Sequence, residues 1–339
     1  MKILIVRNDK LGDFVLSLPC YALLKIAQPD VHITVMVPDY TAEIAHSCPH
    51  IDDVKIDTGG TSFQDLNTLI KQLRSHQFDV IISLYSTTRV GIAAYLAGIK
   101  YRLAPASKLA QIFYNHRLTQ RRSRSEKPEY SYNMDLVTKY LHDSGVKNIP
   151  EVSPPYLTFE TSLTNQLREQ FCLKFKIRPE KLFIFVHAGS GGSANNLSLE
   201  QYGQLIHALN NLQPDCVFVL TAGPGEQARA TELSNQLDKI EHIIYLSTEG
   251  LIAFTQHIAF ANLFISGSTG TLHLAGALDV CTAAFYTRRR SATALRWQTL
   301  NSPERRIAFY PAENAAQEDM SSIDVSASAS LIWEKFLKA

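Results

Sequence analysis

Short apolar runs alternate with amphipathic segments along nearly the whole chain. Lys2 to Val6 is a β-rich run, and Arg7 to Gly12 is a polar loop. Asp13 to Ala27 is helical by pattern, with Val15, Leu18, Ala22 and Ile26 on one face; Pro19 inside it predicts a kink or a late start. Strands are predicted over 31–37, 54–56, 80–84 and 99–103, with helices over 40–47, 63–74 and 90–96 between them. This alternation predicts a parallel sheet covered on both faces. The rhythm breaks over Ala104 to Tyr130. Tyr132 to Leu141 is then helical, and Pro150, Pro154 and Pro155 mark a domain edge.

A second alternating run follows. Helices are predicted over 163–175, 199–209 and 251–257, with one more ending at Leu237, and strands over 182–186, 216–221, 242–245 and 258–265. Leu272 to Leu278 is a further helix. Val325 to Leu337 is the last, with Leu331, Ile332, Trp333 and Phe336 as apolar anchors. Three of these strands run into glycine turns: His187 to Ser193, Ala222 to Glu226, and Ser266 to Thr271. In open α/β sheets such turns gather at the carboxyl ends of the strands, where ligands bind. A glycine turn that opens a helix offers free N–H groups and the positive end of the helix dipole, which suits a phosphate. Hydroxyls in the third turn add donors. His273, in the first turn of its helix, can reach a phosphate or simply pack. The alternative for the whole stretch is a tight turn with a Ser/Thr cap. None of the turns is a G-x-G-x-x-G fingerprint or carries a Walker lysine, which argues against a dehydrogenase or a P-loop ATPase.

Composition narrows the class. A chain of 339 residues implies two domains, and 45% hydrophobic with 19% charged residues is a soluble globular balance. The net charge is +1, so no global attraction to nucleic acid or membrane follows. The five cysteines are scattered without a C-x-x-C pair, which fits reduced thiols in the cytoplasm. Charge is concentrated locally: Arg117, Arg121, Arg122, Arg124 and Lys127 lie in the irregular stretch, opposed only by Glu126 and Glu129. That segment reads either as a solvated loop or as an anion-binding arm.

Leu11-Gly-Asp-Phe-Val-Leu-Ser-Leu-Pro19 resembles the Gly-Asp…Pro signature of glycosyltransferase family 9, the lipopolysaccharide heptosyltransferases and their relatives. The resemblance continues through Pro49 to Val54, Leu96 to Arg102 and Tyr132 to Leu136. It extends to His187 to Gly192, Ala222 to Glu226 and Ser268 to Ala275. It implies an α/β protein of the GT-B arrangement, two Rossmann-like domains with a cleft between them. The acceptor domain would span 1–160 and the nucleotide-sugar domain 161–320, with helix 321–339 packing back on the first. Transfer would be inverting, with no metal and no cofactor. The donor would be a nucleotide sugar, usually ADP-heptose. The acceptor would be an anionic glycolipid of the lipopolysaccharide core. Such an enzyme would be cytoplasmic, with at most peripheral contact with the inner membrane, and would bind no nucleic acid.

The resemblance also implies roles. Asp13 would be the catalytic base, although an acid at the start of a helix also reads as a cap. Ser190, Gly191, Asn195, Glu226, Ser268, Thr269, Gly270 and His273 would bind the donor. Glu226 would take the ribose hydroxyls, or merely favour a helix amino end. Arg102, Arg117, Arg121, Arg122 and Lys127 would bind the acceptor, since arginine pairs with carboxylate and phosphate in a bidentate way. Two departures stand out. Many relatives carry Asp-Thr-Gly where this chain has Ser268, and a lysine after the first donor loop where it has Asn195 and Asn196. These leave open a different nucleotide sugar, or a non-catalytic nucleotide-sugar-binding protein.

Overall fold

The computed structural model describes residues 1–106, 109–189 and 195–338. The chain divides into two units, Met1–Tyr156 and Leu157–Ala339. The first contains β1 (Lys2–Val6), β2 (His32–Val37), β3 (Asp53–Ile56), β4 (Val80–Ser83), β5 (Tyr101–Pro105) and β6 (His116–Leu118). Its helices are α1 (Leu11–Val15), α2 (Leu18–Ala27), α3 (Ala42–Ser47), α4 (Phe63–His76), α5 (Thr88–Leu96) and α6 (Glu129–Asp143). The second contains α7 (Thr161–Phe175), β7 (Leu182–His187), α8 (Leu199–Leu212), β8 (Cys216–Ala222), α9 (Gln227–Ser234) and β9 (His242–Leu246). It continues through α10 (Leu251–Ile258), β10 (Leu263–Gly267), α11 (Gly270–Ala277), β11 (Thr282–Phe285), β12 (Arg306–Phe309) and α12 (Val325–Ile332).

Each unit is built on a parallel sheet, six strands among the described residues, in the orders β3-β2-β1-β4-β5-β6 and β12-β11-β10-β7-β8-β9. The central strands are buried on both faces, which explains why Ile3–Val6 and Phe183–Val186 are continuously apolar. The strand order reverses direction between β1 and β4 in the first sheet and between β7 and β10 in the second. The crevice at the carboxyl ends of such a pair is where open α/β sheets take ligands.

Several local expectations are corrected. Asp13–Ala27 is not one helix: as Pro19 predicted, a second helix starts late, with Leu18 and Pro19 opening α2 after a break at Leu16 and Ser17. The apolar run from Ile258 is not all strand: α10 ends at Ile258, and β10 begins only at Leu263. Helix α12 buries Val325, Ala329 and Ile332 in the second unit's core with α8. No helix among the described residues is long and apolar enough to cross a membrane.

Candidate functional site

At the carboxyl end of β1 the chain buries an arginine. Arg7 is 2% exposed. Its guanidinium donates to Asp13 Oδ1 at 2.5 Å, to Asn133 Oδ1 at 3.0 Å and to Glu129 Oε1 at 3.2 Å. Its Nε also lies 2.9 Å from Asp9 Oδ1. That contact is an ion pair without hydrogen-bond alignment, since neither atom has a hydrogen-bond partner. Burial works against the Arg7 charge, but Asp9, Asp13 and Glu129 outweigh it and hold the guanidinium charged. Burial pushes the Asp9 carboxyl up to about 6, with Asp13 and Glu129 adding to the rise and Arg7 opposing it.

Asp13 does not cap its helix. Lys10 occupies the cap position and Asp13 lies in the first turn, with its carboxylate turned back on Arg7 and 16% exposed. Asn133 of α6 fixes this corner twice, accepting from Arg7 and donating from Nδ2 to the Leu16 carbonyl at 3.2 Å. Beside it, Asn8 and Arg89 both donate to the Asp57 carboxylate, joining the ends of β1 and β3 to the start of α5.

The basic stretch is less free than its charge suggests. Arg122 donates to Glu129 Oε1 at 2.6 Å and to Gln120 Oε1 at 2.9 Å, so it belongs to the Arg7 network. Lys127 is paired with Asp135. Arg102 donates to the carbonyls of Ile99 and Phe113 and lies over the Tyr95 ring. Arg117 and Arg121 remain exposed. Arg121, Lys127, Gln120, Tyr132 and Asp135 line an open pocket of about 280 Å³.

In the second unit, β8, β7 and β10 are adjacent, so their glycine turns meet along one sheet edge. The Glu226 carboxylate accepts from Gly223 N–H at 2.9 Å and packs against the α-carbon of Gly189, where any Cβ would collide with it. The Asn196 amide fills the equivalent space at Gly267, donates to the Gly189 carbonyl at 3.2 Å and accepts from Tyr202 Oη at 2.7 Å. These contacts wire the first turn to the second and third. At the third, the Thr269 hydroxyl accepts from Leu272 N–H at 3.4 Å, capping α11, and bonds Thr271 Oγ1 at 2.9 Å. Ser268, Thr269, Gly270 and Thr271 are partly exposed, which leaves the amino end of α11 open. Among the described residues, the buried His273 Nδ1 and Thr287 Oγ1 have no hydrogen-bond partner. Burial pushes His273 down to about 4, so it is neutral at physiological pH.

The chain matches the model of "Glycosyltransferase family 9 (heptosyltransferase)" over residues 66–317. It belongs to glycosyltransferase family 9. A Haemophilus influenzae protein, named provisionally as a glycosyltransferase, is 47% identical over 310 residues, covering 91% of this chain and 89% of its own. Two solved structures share the fold of this family 9 protein. The glycosyl transferase family 9 protein of Veillonella parvula has a TM-score of 0.82 at 16% identity, over 100% of this chain and 97% of its own. Escherichia coli ADP-heptose lps heptosyltransferase II has a TM-score of 0.78 at 16% identity, over 100% and 99%. The two Rossmann-like units are those of the GT-B class.

Against that fold, the residues expected in the site fall into groups. Glu226, Ser268, Thr269, Gly270 and His273 of this family 9 chain cluster on the β8–β7–β10 edge. Asn195 is exposed nearby, and its neighbour Asn196 is the one built into the turns. Ser190 and Gly191 lie outside the described residues. Arg7, Asp9, Asn133, Asp57 and Arg89 were not singled out by sequence. An arginine directly after a strand reads as the start of a polar loop, and its burial depends on carboxylates up to 122 residues away.

Proposed function

We propose that this protein is an inverting sugar transferase whose second unit binds a nucleotide-diphosphate sugar and whose first unit binds an anionic glycolipid. The names of its relatives support ADP-heptose as donor and the lipopolysaccharide core as acceptor. A glycolipid acceptor brings the enzyme to a membrane surface, on the cytoplasmic side where nucleotide sugars are made. The observation that carries this reading is the pinned carboxylate of Asp13 at the strand-order reversal of the first sheet, on an arginine shared with two other acids.

In this mechanism the acceptor oxygen attacks the anomeric carbon and its proton passes to the Asp13 carboxylate. The bond from that carbon to the diphosphate breaks, and its electron pair leaves with the diphosphate. A general base of this kind is worth about 10²–10⁴-fold. The buried Arg7 guanidinium is divided among Asp9, Asp13 and Glu129, so it orients Asp13 without neutralising it alone. On the donor side, the free N–H groups at the amino end of α11 and the hydroxyls of Ser268 and Thr271 receive the charge that develops on the diphosphate. Glu226 accepts from ribose hydroxyls, and Arg117 and Arg121 meet the acceptor's anionic groups.

Ser268 favours a second reading within the same reaction, a donor carrying another sugar, because no carboxylate stands at that position to accept from sugar hydroxyls. A thermal-shift screen of ADP-, UDP-, GDP- and CMP-sugars, followed by mass spectrometry of the acceptor, separates the two. A ligand at 100 times its dissociation constant adds about 2.7 kcal/mol of stability. Stabilisation by none of them would remove the transferase reading.

A further inference from the structure

The segment between β5 and β6 forms a helical turn, Leu109–Phe113, that is apolar on both sides. Its inner side buries Ala110, followed by Tyr114, against α5, so closely that a Cβ on Gly91 would press on the Tyr114 ring and the Phe113 Cβ. Its outer side presents Leu109 and Ile112, 86% and 70% exposed. Residues three apart share one face of such a turn, so these two side chains stand together. Tyr95 and Leu96, at the end of α5, are 56% and 47% exposed, and the Tyr95 ring lies 6.4 Å from that of Phe113. Four large apolar side chains are thus bare on one side of the first unit.

The stretch of chain that carries them is cationic. Residues 80–125 contain eight Lys or Arg and no Asp or Glu. Arg89, Arg122 and Arg124 are paired with acids outside this stretch. Arg102 is bonded to the Phe113 carbonyl, and Arg74 to the Leu96 carbonyl at 2.8 Å, so both guanidinia sit at the border of the apolar patch. Lys100 is exposed beside them. Bare aliphatic side chains ringed by cations are the composition of a surface that enters the headgroup region of an anionic bilayer. A second copy of the same patch would be repelled by its own charge.

We propose that Leu109, Ile112, Tyr95 and Leu96, bordered by Arg74, Lys100 and Arg102, dock the first unit on an anionic lipid bilayer. The inference builds on the proposal of a glycolipid acceptor but needs no sugar transfer to be tested. Cosedimentation of the full chain with phosphatidylethanolamine vesicles containing phosphatidylglycerol is expected to recover the protein. Pure phosphatidylcholine vesicles should leave it in solution, and added salt should release it. The double variant Leu109→Ser/Ile112→Ser should partition about tenfold less, from the lost apolar burial. Its thermal melt and its affinity for nucleotide diphosphates should stay unchanged, because both side chains are exposed. Wild-type protein that stays in solution with the anionic vesicles, or a double variant that partitions like wild type, would overturn the proposal. So would a wild-type dimer that this double variant converts to monomer. If vesicle binding holds but no nucleotide sugar stabilises the protein, the docking surface stands and the transferase reading fails.

Discussion

Arg7 donates to Asp13 Oδ1 at 2.5 Å from a position with 2% exposure. The Arg7 guanidinium therefore faces three carboxylates at once, while Arg122 supplies a second positive charge to Glu129.

Removing Arg7 strands those acids. Arg7→Met should cost about 3–5 kcal/mol, the usual loss when one side of a buried ion pair is deleted. Arg7→Lys should cost less, because the charge survives although the fork geometry does not. Urea unfolding of the two variants checks the order; an Arg7→Met protein as stable as wild type would mean the network adds nothing to folding.

The Asp9 carboxyl, raised from its ordinary 3.8 to about 6, sets a pH dependence. Between those values the folded protein keeps a proton that the unfolded chain has released. Stability from this group is full below about pH 4 and is lost as pH rises through about 6. The whole span is worth at most about 3 kcal/mol. Asp9→Asn should flatten the slope in that window, measured by unfolding at a series of pH values. A slope that persists unchanged in the variant would assign it to another group.

The basic stretch should split in two under mutation. Arg117→Ala with Arg121→Ala should raise the acceptor Michaelis constant and leave the melting temperature in place. Arg122→Ala should lower the melting temperature instead, since it leaves Glu129, itself 2% exposed, with less positive charge. Identical behaviour of the two variants would contradict the distinction.

What the sequence conveyed and what it hid have physical reasons. The alternation of Lys2–Val6, Leu182–His187 and their neighbours with amphipathic helices was readable because strands buried on both faces must be apolar throughout. The three glycine turns were readable because only glycine admits the close approach of Glu226 at Gly189 and of Asn196 at Gly267. The strands β6 and β12 were not, since Arg117 and Arg306 interrupt their apolar pattern, and β11 was not, since Thr282-Ala-Ala-Phe285 holds no run of β-branched aliphatic residues. The role of Arg122 was hidden too: its partners are set by where α6 places Glu129, which no local pattern reveals.

Gly189→Ala tests the assembly of the donor turns. The added methyl meets the Glu226 carboxylate and must displace it. A destabilisation of about 1–3 kcal/mol is expected for such overpacking, together with weaker binding of nucleotide diphosphates. Titration calorimetry with ADP reads the second effect, and full affinity would place the ligand away from Glu226.

The most direct measurement is turnover of Asp13→Asn beside its donor affinity. Asparagine keeps an oxygen that can accept from Arg7, so the fold and the corner geometry are retained while the base is lost. Turnover should fall by about 10²–10⁴-fold, with the melting temperature and the nucleotide-diphosphate dissociation constant unchanged. An Asp13→Asn protein that transfers sugar at nearly the wild-type rate would show that the proton goes elsewhere.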